Sequence, residues 1–251
     1  MKNSIIINNQ LINYYAFNEG RGQPLVFLHG WRAQGLVWRD VAARLSESRD
    51  FAIYLLDLPG FGGSTLPKTP FHVQDYTNLI SGFIEKLDLG KVILIGHSFG
   101  GRIATKLAAQ KPELVEKLIL VDSAGLMTNK KSGGLKFLAK MVKPLFRPKF
   151  MKGLREKIYQ KIGAEDYTAT PNLKETFLKV INEDLSGYLP KVSQPTLIIW
   201  GENDKTTPLG DAKIMKAKIK NSQLVVFENA GHSCFLDKPK EFCDELIRFI
   251  K

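Results

Sequence analysis

A serine set between glycines, in the segment Gly96–Gly100 (GHSFG), is the feature of this chain best suited to do chemistry. The apolar run before it is typical of a strand and the residues after it of a helix, so the chain must turn sharply at the serine. Such a turn forces the middle residue into strained geometry, and the glycines prevent clashes with its neighbours. The motif alone is common by chance, but this strand–turn–helix context predicts Ser98 as an exposed nucleophile.

A serine hydroxyl needs an adjacent base, and the chain contains four histidines. His232 follows the last apolar run, on a loop that precedes the final helix, and such a loop can bring an imidazole over the serine. We therefore predict that His232 is the base. His97 leaves the turn on another side, and His72 lies in a polar stretch expected at the surface. His29 ends the first buried strand, where a packing or turn role is favoured.

The base needs a third group that fixes its tautomer and orientation. Asp204 lies on the loop after the strand that ends at Trp200, and Asp122 follows the strand that ends at Val121. Both strand ends face the expected site, so the sequence leaves both acids open. We favour Asp204, because Asp122 can act as a turn acceptor that binds its own backbone amides. Glu202 is a third candidate.

The elements that must position these residues follow from apolar runs that alternate with helical patterns. A hairpin is predicted first, over residues 4–7 and 11–17. Later runs with almost no polar alternation indicate strands buried on both faces, at 25–28, 51–56, 92–95, 118–121, 196–200 and 224–227. Amphipathic patterns predict helices near 37–45, 73–87, 103–108 and 240–250. The predicted fold class is α/β, with a mostly parallel central sheet and helices on both faces.

One stretch departs from this alternation. Residues 126–190 have helical patterns without strands between them, and prolines interrupt them. We predict that residues 1–125 and 191–251 form the α/β core and that residues 126–190 are inserted as a helical cap, or lid. Ligands of such sheets bind at the carboxyl ends of the strands, so the cap is expected to cover that edge.

The net charge of +11 is concentrated in the predicted cap. Residues 126–161 contain eleven basic residues and one acidic residue, Glu156, for a net charge of +10. The simplest interpretation is a lid whose apolar face covers the pocket while its cations face water. A sharper one is contact with an anionic surface, either an acidic carrier protein that presents an acyl ester or a membrane. No nucleic-acid partner is expected, because no recognition motif accompanies the charge.

Composition predicts where the protein works and what it lacks. Its two cysteines, Cys234 and Cys243, are predicted to be reduced thiols, with Cys234 near the pocket rim. No apolar run is long enough to span a membrane and the N-terminus does not read as a signal peptide, so a cytoplasmic protein is predicted. The scattered histidines and the lack of paired cysteine spacing argue against a metal site, and no cofactor is expected.

Five motifs, in chain order, resemble the landmarks of the α/β-hydrolase superfamily. They are Leu28–Trp31 (LHGW), Asp57–Ser64 (DLPGFGGS), Gly96–Gly101 (GHSFGG), Gly201–Asp204 (GEND) and Gly231–His232 (GH). Together they span nearly the whole chain and are specific for the superfamily, though not for a substrate. The resemblance implies an oxyanion hole built from the backbone amides of Trp31 and Phe99.

Within this superfamily, the residues favour ester cleavage. Relatives that dehalogenate or open epoxides place an aspartate where Ser98 stands. Carbon–carbon bond hydrolases commonly carry a tryptophan after the catalytic histidine, where this chain has Ser233. The motifs around Trp31 and Asp57 are similar to those of small carboxylesterases and of the methyl esterase that acts on pimeloyl-acyl carrier protein. The expected activity is hydrolysis of a carboxylic ester through an acyl-enzyme.

Several alternatives stay open at the level of sequence. The same serine, histidine and aspartate would serve a thioesterase, a methyl esterase acting on an acyl chain bound to an acidic carrier protein, a haloperoxidase or a carbon–carbon bond hydrolase. A non-catalytic sensor of a small ligand could also use this fold. A fluorophosphonate probe separates the sensor from the enzymes, because it labels only an activated serine.

Overall fold

The computed structural model describes residues 2–127, 166 and 169–251. These residues form one eight-stranded sheet in the order β1-β2-β4-β3-β5-β6-β7-β8. The strands are β1 (Lys2–Ile7), β2 (Gln10–Phe17), β3 (Gln23–Leu28), β4 (Phe51–Leu56), β5 (Val92–His97), β6 (Val115–Val121), β7 (Thr196–Gly201) and β8 (Ser222–Phe227). The pairs β1–β2 and β2–β4 are antiparallel and the remaining pairs are parallel. The predicted mostly parallel sheet is confirmed.

Helices connect the strands. In the described residues they are α1 (Arg39–Ser46), α2 (Val73–Lys86), α3 (Phe99–Gln110), α4 (Lys174–Ile181), α5 (Leu209–Lys218), α6 (Cys234–Asp237) and α7 (Pro239–Ile250). Sequence reasoning missed α5 and the single turn of α6. Helix α5 buries only a narrow stripe that includes Ala212 and Met215, and the charged Asp211 lies within it. Its apolar residues therefore give no clear helical periodicity.

Two apolar layers lie on the two faces of the sheet. In β3, Leu25 and Phe27 point into one layer and Val26 and Leu28 into the other, and all four are fully buried. Helices α1 and α7 cover the first layer, while α2, α3 and α5 cover the second. Because each face is dry, apolar residues occupy every position of the strand instead of every second one. Burying one such side chain contributes about 1.5–3 kcal/mol.

The strand order creates the crevice in which the candidate residues meet. The chain leaves β3 for β4 on one side and returns to β5 on the other side of β3. Such a reversal opens a ligand-binding crevice at the carboxyl ends of the strands. Leu28 pairs with Gly96, and Gly96 pairs with Leu120, so the ends of β3, β5 and β6 lie level. The segments that follow these strands therefore emerge at one edge.

Most of the predicted cap, including every basic residue of its segment 126–161, lies outside the described residues. The described part of the returning chain packs onto loops at the carboxyl edge of the sheet. The rings of Trp31 and Phe177 are 5.2 Å apart, and Leu173 packs against Gly60. Within the described ranges, no helix combines the length and the hydropathy needed to cross a bilayer.

Candidate active site

Ser98 occupies a strained turn between β5 and α3. Its backbone angles are φ +49° and ψ −109°, which residues other than glycine rarely adopt. The turn requires glycine on both sides: a Cβ added at Gly96 would lie 2.5 Å from the carbonyl oxygen of Gly100, and one added at Gly100 would collide with the carbonyl oxygen of Leu28. The backbone amide of Ser98 donates to the carbonyl of Val121 at 3.0 Å. The neighbouring strands thus hold the serine in this geometry.

The structure brings His232 and Asp204 to this serine. His232 Nε2 lies 3.0 Å from Ser98 Oγ, and His232 Nδ1 lies 2.8 Å from Asp204 Oδ2. A neutral imidazole that donates its Nδ1–H to the carboxylate has Nε2 free to accept the hydroxyl proton. Three side chains from three different loops therefore form one continuous line of hydrogen bonds.

The carboxylate of Asp204 is held by several donors. Its Oδ1 accepts from the backbone amides of Thr206 at 2.7 Å and Thr207 at 3.0 Å, and its Oδ2 accepts from the Thr207 hydroxyl at 2.6 Å. Burial opposes the charge of Asp204, but the hydrogen bonds from His232 and Thr207 outweigh it and hold the pKa of Asp204 below its usual value. Sequence reasoning missed Thr207, although an aspartate followed by threonines is the pattern of a local carboxylate-binding turn.

Asp122 and Glu202, the other two acids weighed from the sequence, make no hydrogen bond to His232 in the described chain. Asp122 Oδ1 accepts from the backbone amide of Gly201 at 2.8 Å, and Oδ2 accepts from that of Cys234 at 3.1 Å. Asp122 is fully buried, and burial raises its pKa to about 6. The expectation that it binds its own turn was wrong, because its partners are the last residue of β7 and the first residue of α6. Glu202 is exposed.

Two of the three remaining histidines, His29 and His97, support the loops around the serine. His29 is fully buried: its Nε2 accepts from the amide of Leu58 at 2.9 Å, and its Nδ1–H donates to the carbonyl of the next residue at 2.7 Å. His97 Nε2–H donates to the carbonyl of His232 at 2.7 Å. Burial lowers the pKa of His29 to about 4 and that of His97 to about 3, so both rings are neutral near pH 7. His72 is exposed, directly before α2.

The backbone amides of Trp31 and Phe99, which are predicted as oxyanion donors, belong to segments that adjoin Ser98. Phe99 begins α3, and the first amides of a helix have no partner within it. The residue before Trp31 packs against the serine, since a Cβ added at Gly30 would lie 3.4 Å from the Ser98 Cβ. Neither amide donates to an acceptor within the described part of the chain. The rings of Trp31 and Phe99 pack edge to face with centroids 5.1 Å apart, which fixes the Trp31 loop against the start of α3.

A cavity of about 690 Å³ adjoins the loop that carries Trp31. It is lined by Arg32, Ala33, Gln34, Leu36, Val37, Gly60, Phe61, Gly62, Ala169 and Thr170. At its rim, the Arg32 guanidinium pairs with Asp166 at 3.2 Å. A cavity of this volume is typical of small-molecule sites.

The two cysteines are free and buried. Burial raises the pKa of both thiols, that of Cys243 to about 11 and that of Cys234 further. The expected position of Cys234 at the pocket rim was wrong, because its side chain is fully enclosed. Neither thiol has the depressed pKa that a nucleophilic cysteine requires.

Comparison with known proteins agrees with this geometry. Residues 25–245 match the model of the alpha/beta hydrolase family. The pimeloyl-[acyl-carrier protein] methyl ester esterase of Nitrosomonas europaea is 31% identical over 89% of this chain and 94% of that protein. An uncharacterized hydrolase of Bacillus subtilis, YugF, is 31% identical over 93% and 92% of the two chains. The esterase EaEST from Exiguobacterium antarcticum superimposes with a TM-score of 0.79 at 28% identity, over 100% of this chain and 99% of that one. This chain belongs to the α/β hydrolase family.

Proposed function

We propose that the protein is a carboxylic ester hydrolase that forms an acyl-enzyme on Ser98. The observation that carries this proposal is the line of hydrogen bonds from Asp204 through His232 to Ser98, at 2.8 and 3.0 Å. A serine in this setting is activated by its base and exposed by its strained turn. The esterases among the similar proteins support an ester as the substrate.

The proposed reaction is acyl transfer in two halves. His232 takes the proton of Ser98 as the serine oxygen attacks the ester carbonyl, and Asp204 stabilises the resulting imidazolium. The backbone amides of Trp31 and Phe99 donate to the tetrahedral oxyanion, and removing one such donor typically costs about 3 kcal/mol of transition-state stabilisation. The imidazolium then protonates the leaving alcohol. In the second half, His232 takes a proton from water as the water oxygen attacks the acyl-enzyme. The imidazolium then returns the proton to Ser98, and the acid is released.

We also propose the domain organisation and the location that the sequence predicts. Residues 1–125 and 191–251 form the hydrolase core, residues 126–190 form a cap over the site, and the protein works in the cytoplasm without a cofactor. The cavity beside the Trp31 loop accommodates part of the ester, because its lining adjoins one of the two proposed oxyanion donors.

A second candidate is cleavage of a methyl ester on an acyl chain carried by an acidic protein. It is supported by the similarity to the Nitrosomonas esterase and by the net charge of +10 over residues 126–161. Opposite charges on the two partners would accelerate their encounter, and salt would slow it. Turnover of a carrier-bound methyl ester should then fall as ionic strength rises, while turnover of a small neutral ester should not.

Hydrolysis of p-nitrophenyl esters of increasing chain length tests the main proposal and sizes the acyl pocket. Ser98→Ala should lower kcat by at least about 10³-fold, because no other group supplies the nucleophile. A fluorophosphonate probe should label the wild-type protein and not this variant. Ser222→Ala is the matched control, since Ser222 lies at the start of β8, the opposite end of the strand from the His232 loop. Undiminished turnover or labelling in Ser98→Ala would exclude Ser98 as the nucleophile.

A further inference from the structure

We infer that Asp122 is a positioning residue whose buried carboxylate joins the loop that carries Asp204 to the loop that carries His232. The inference rests on the proposed function, because it concerns the geometry of the proposed catalytic groups. No hydrogen bond joins Asp122 to Ser98 or to the imidazole among the described residues.

The two oxygens of this carboxylate bind one end of each loop: the strand end before Asp204 and the helix start after His232. Oδ1 accepts from the amide of Gly201, the last residue of β7, and the chain reaches Asp204 shortly afterwards. Oδ2 accepts from the amide of Cys234, two residues beyond His232. Among side chains of this length, an ionised aspartate alone accepts at both ends. An asparagine would direct an NH₂ group at one of the two amides.

Further contacts join Asp122 to the loop that carries Asp204 (the acid loop). Its backbone carbonyl lies 3.1 Å from the Thr207 hydroxyl, which is also 2.6 Å from Asp204 Oδ2. Its own backbone adopts φ +43°, a left-handed conformation that non-glycine residues seldom hold without support from tertiary contacts. The acid loop also contacts the loop that carries His232 (the base loop) directly, since the amide of Asn203 donates to the carbonyl of Ala230 at 2.9 Å. Asp122 therefore secures two loops that are already in contact.

Stability alone does not account for a charge at this position. Asp122 is fully buried, and taking a carboxylate out of water disfavours folding unless hydrogen bonds offset the loss. The raised pKa of Asp122, about 6, shows that its hydrogen bonds only partly offset the effect of burial. What the carboxylate does provide is a fixed separation between two backbone amides, and hence between the loops on which Asp204 and His232 lie.

Small displacements at this point matter, because a misplacement of about 1 Å can lower a rate by about 100-fold. We therefore expect Asp122→Asn to lower kcat by about 10–100-fold. KM should stay near the wild-type value, because Asp122 lies outside the cavity lining. The rate of fluorophosphonate labelling should fall in parallel with kcat, since both depend on the same activated serine.

A double-variant cycle distinguishes positioning from a general loss of structure. In the Asp204→Asn background the aspartate–histidine pair is already absent, so adding Asp122→Asn should change kcat by less than about threefold. Ile84→Val is the control for destabilisation, because Ile84 is buried on α2 and outside the site, and its kcat should equal that of the wild type. A second readout needs no turnover: the ¹H NMR signal of the His232 Nδ1 proton, expected far downfield in the wild type, should move or vanish in Asp122→Asn.

Each outcome decides the inference. A wild-type kcat in Asp122→Asn, or an equal loss in the presence and absence of the Asp204 carboxylate, would overturn it while the ester hydrolase stands. A wild-type protein inert toward esters and probe would instead refute the proposed function, and the NMR signal would still test Asp122. If Asp122→Asn does not fold, Asp122→Glu serves, since it keeps both acceptors but displaces them by one methylene. An unshifted Nδ1 proton signal in that variant would overturn the inference.

Discussion

Replacing Ser98 by glycine should stabilise the protein relative to replacing it by alanine. Both variants lose the hydroxyl and its hydrogen bond to His232, so that loss cancels in the comparison. What differs is the backbone at φ +49° and ψ −109°. A non-glycine residue held in such a region costs about 1–3 kcal/mol, while glycine costs about 0.4–1 kcal/mol through the greater freedom of the unfolded chain. The net expectation is that Ser98→Gly unfolds with a free energy about 1–2 kcal/mol higher than Ser98→Ala.

Equilibrium urea denaturation followed by circular dichroism measures this difference directly. For a chain of this size, 1 kcal/mol corresponds to about 2–4 °C in Tm, so thermal unfolding should also separate the two variants. Ser81 provides a matched control, because it is buried within α2, where the backbone is helical. At this position the order should reverse, with Ser81→Gly less stable than Ser81→Ala by about 0.5–1 kcal/mol.

The result that would refute this reasoning is a Ser98→Gly variant no more stable than Ser98→Ala while the order at Ser81 is as expected. The turn after β5 would then carry no strain at the serine. A strained backbone held in place by the neighbouring strands would then not explain why the Ser98 hydroxyl is exposed.

Two further outcomes follow from the buried polar groups. Burial lowers the pKa values of His29 and His97 from 6.5 to about 4 and about 3, so each histidine binds a proton when the protein unfolds near pH 5. Burial raises the pKa of Asp122 to about 6, so this group releases a proton on unfolding at the same pH. The unfolded state thus binds about one proton more, and the free energy of unfolding should fall by roughly 1.4 kcal/mol per pH unit as the pH drops below about 6. Urea denaturation at several pH values should show roughly twice that slope in Asp122→Asn, and equal slopes would contradict the assignment. Thr207→Val removes the hydroxyl that lies 2.6 Å from Asp204 Oδ2, and it should lower kcat by about 3–10-fold. Thr207→Ser keeps the hydroxyl and should restore kcat. A wild-type kcat in Thr207→Val would show that this hydrogen bond is dispensable.

The sequence by itself determined the strands of the sheet and the turn that carries Ser98. Strands buried on both faces are continuous apolar runs, so the strand at 92–95 was recognisable without tertiary information, as was the helix that follows it. The glycines around Ser98 then specify the turn, because the clash that each avoids lies within the turn or on the adjacent strand. Helix α5 escaped recognition since its narrow buried stripe gives only a weak periodic signal.

Only the tertiary structure decided which acid contacts His232. Asp122 and Asp204 both follow strands that end at the same edge, and nothing local distinguishes an acid that faces the imidazole from one that binds two backbone amides. Asp122 reaches Gly201, 79 positions away, because β6 and β7 are neighbours in register. The contact from the Thr207 hydroxyl to Asp204 and the enclosure of Cys234 likewise depend on how separate loops pack. Periodicity along a chain predicts which residues form a helix or a strand. The partner of a side chain at a strand end depends instead on how the ends of neighbouring strands align in space.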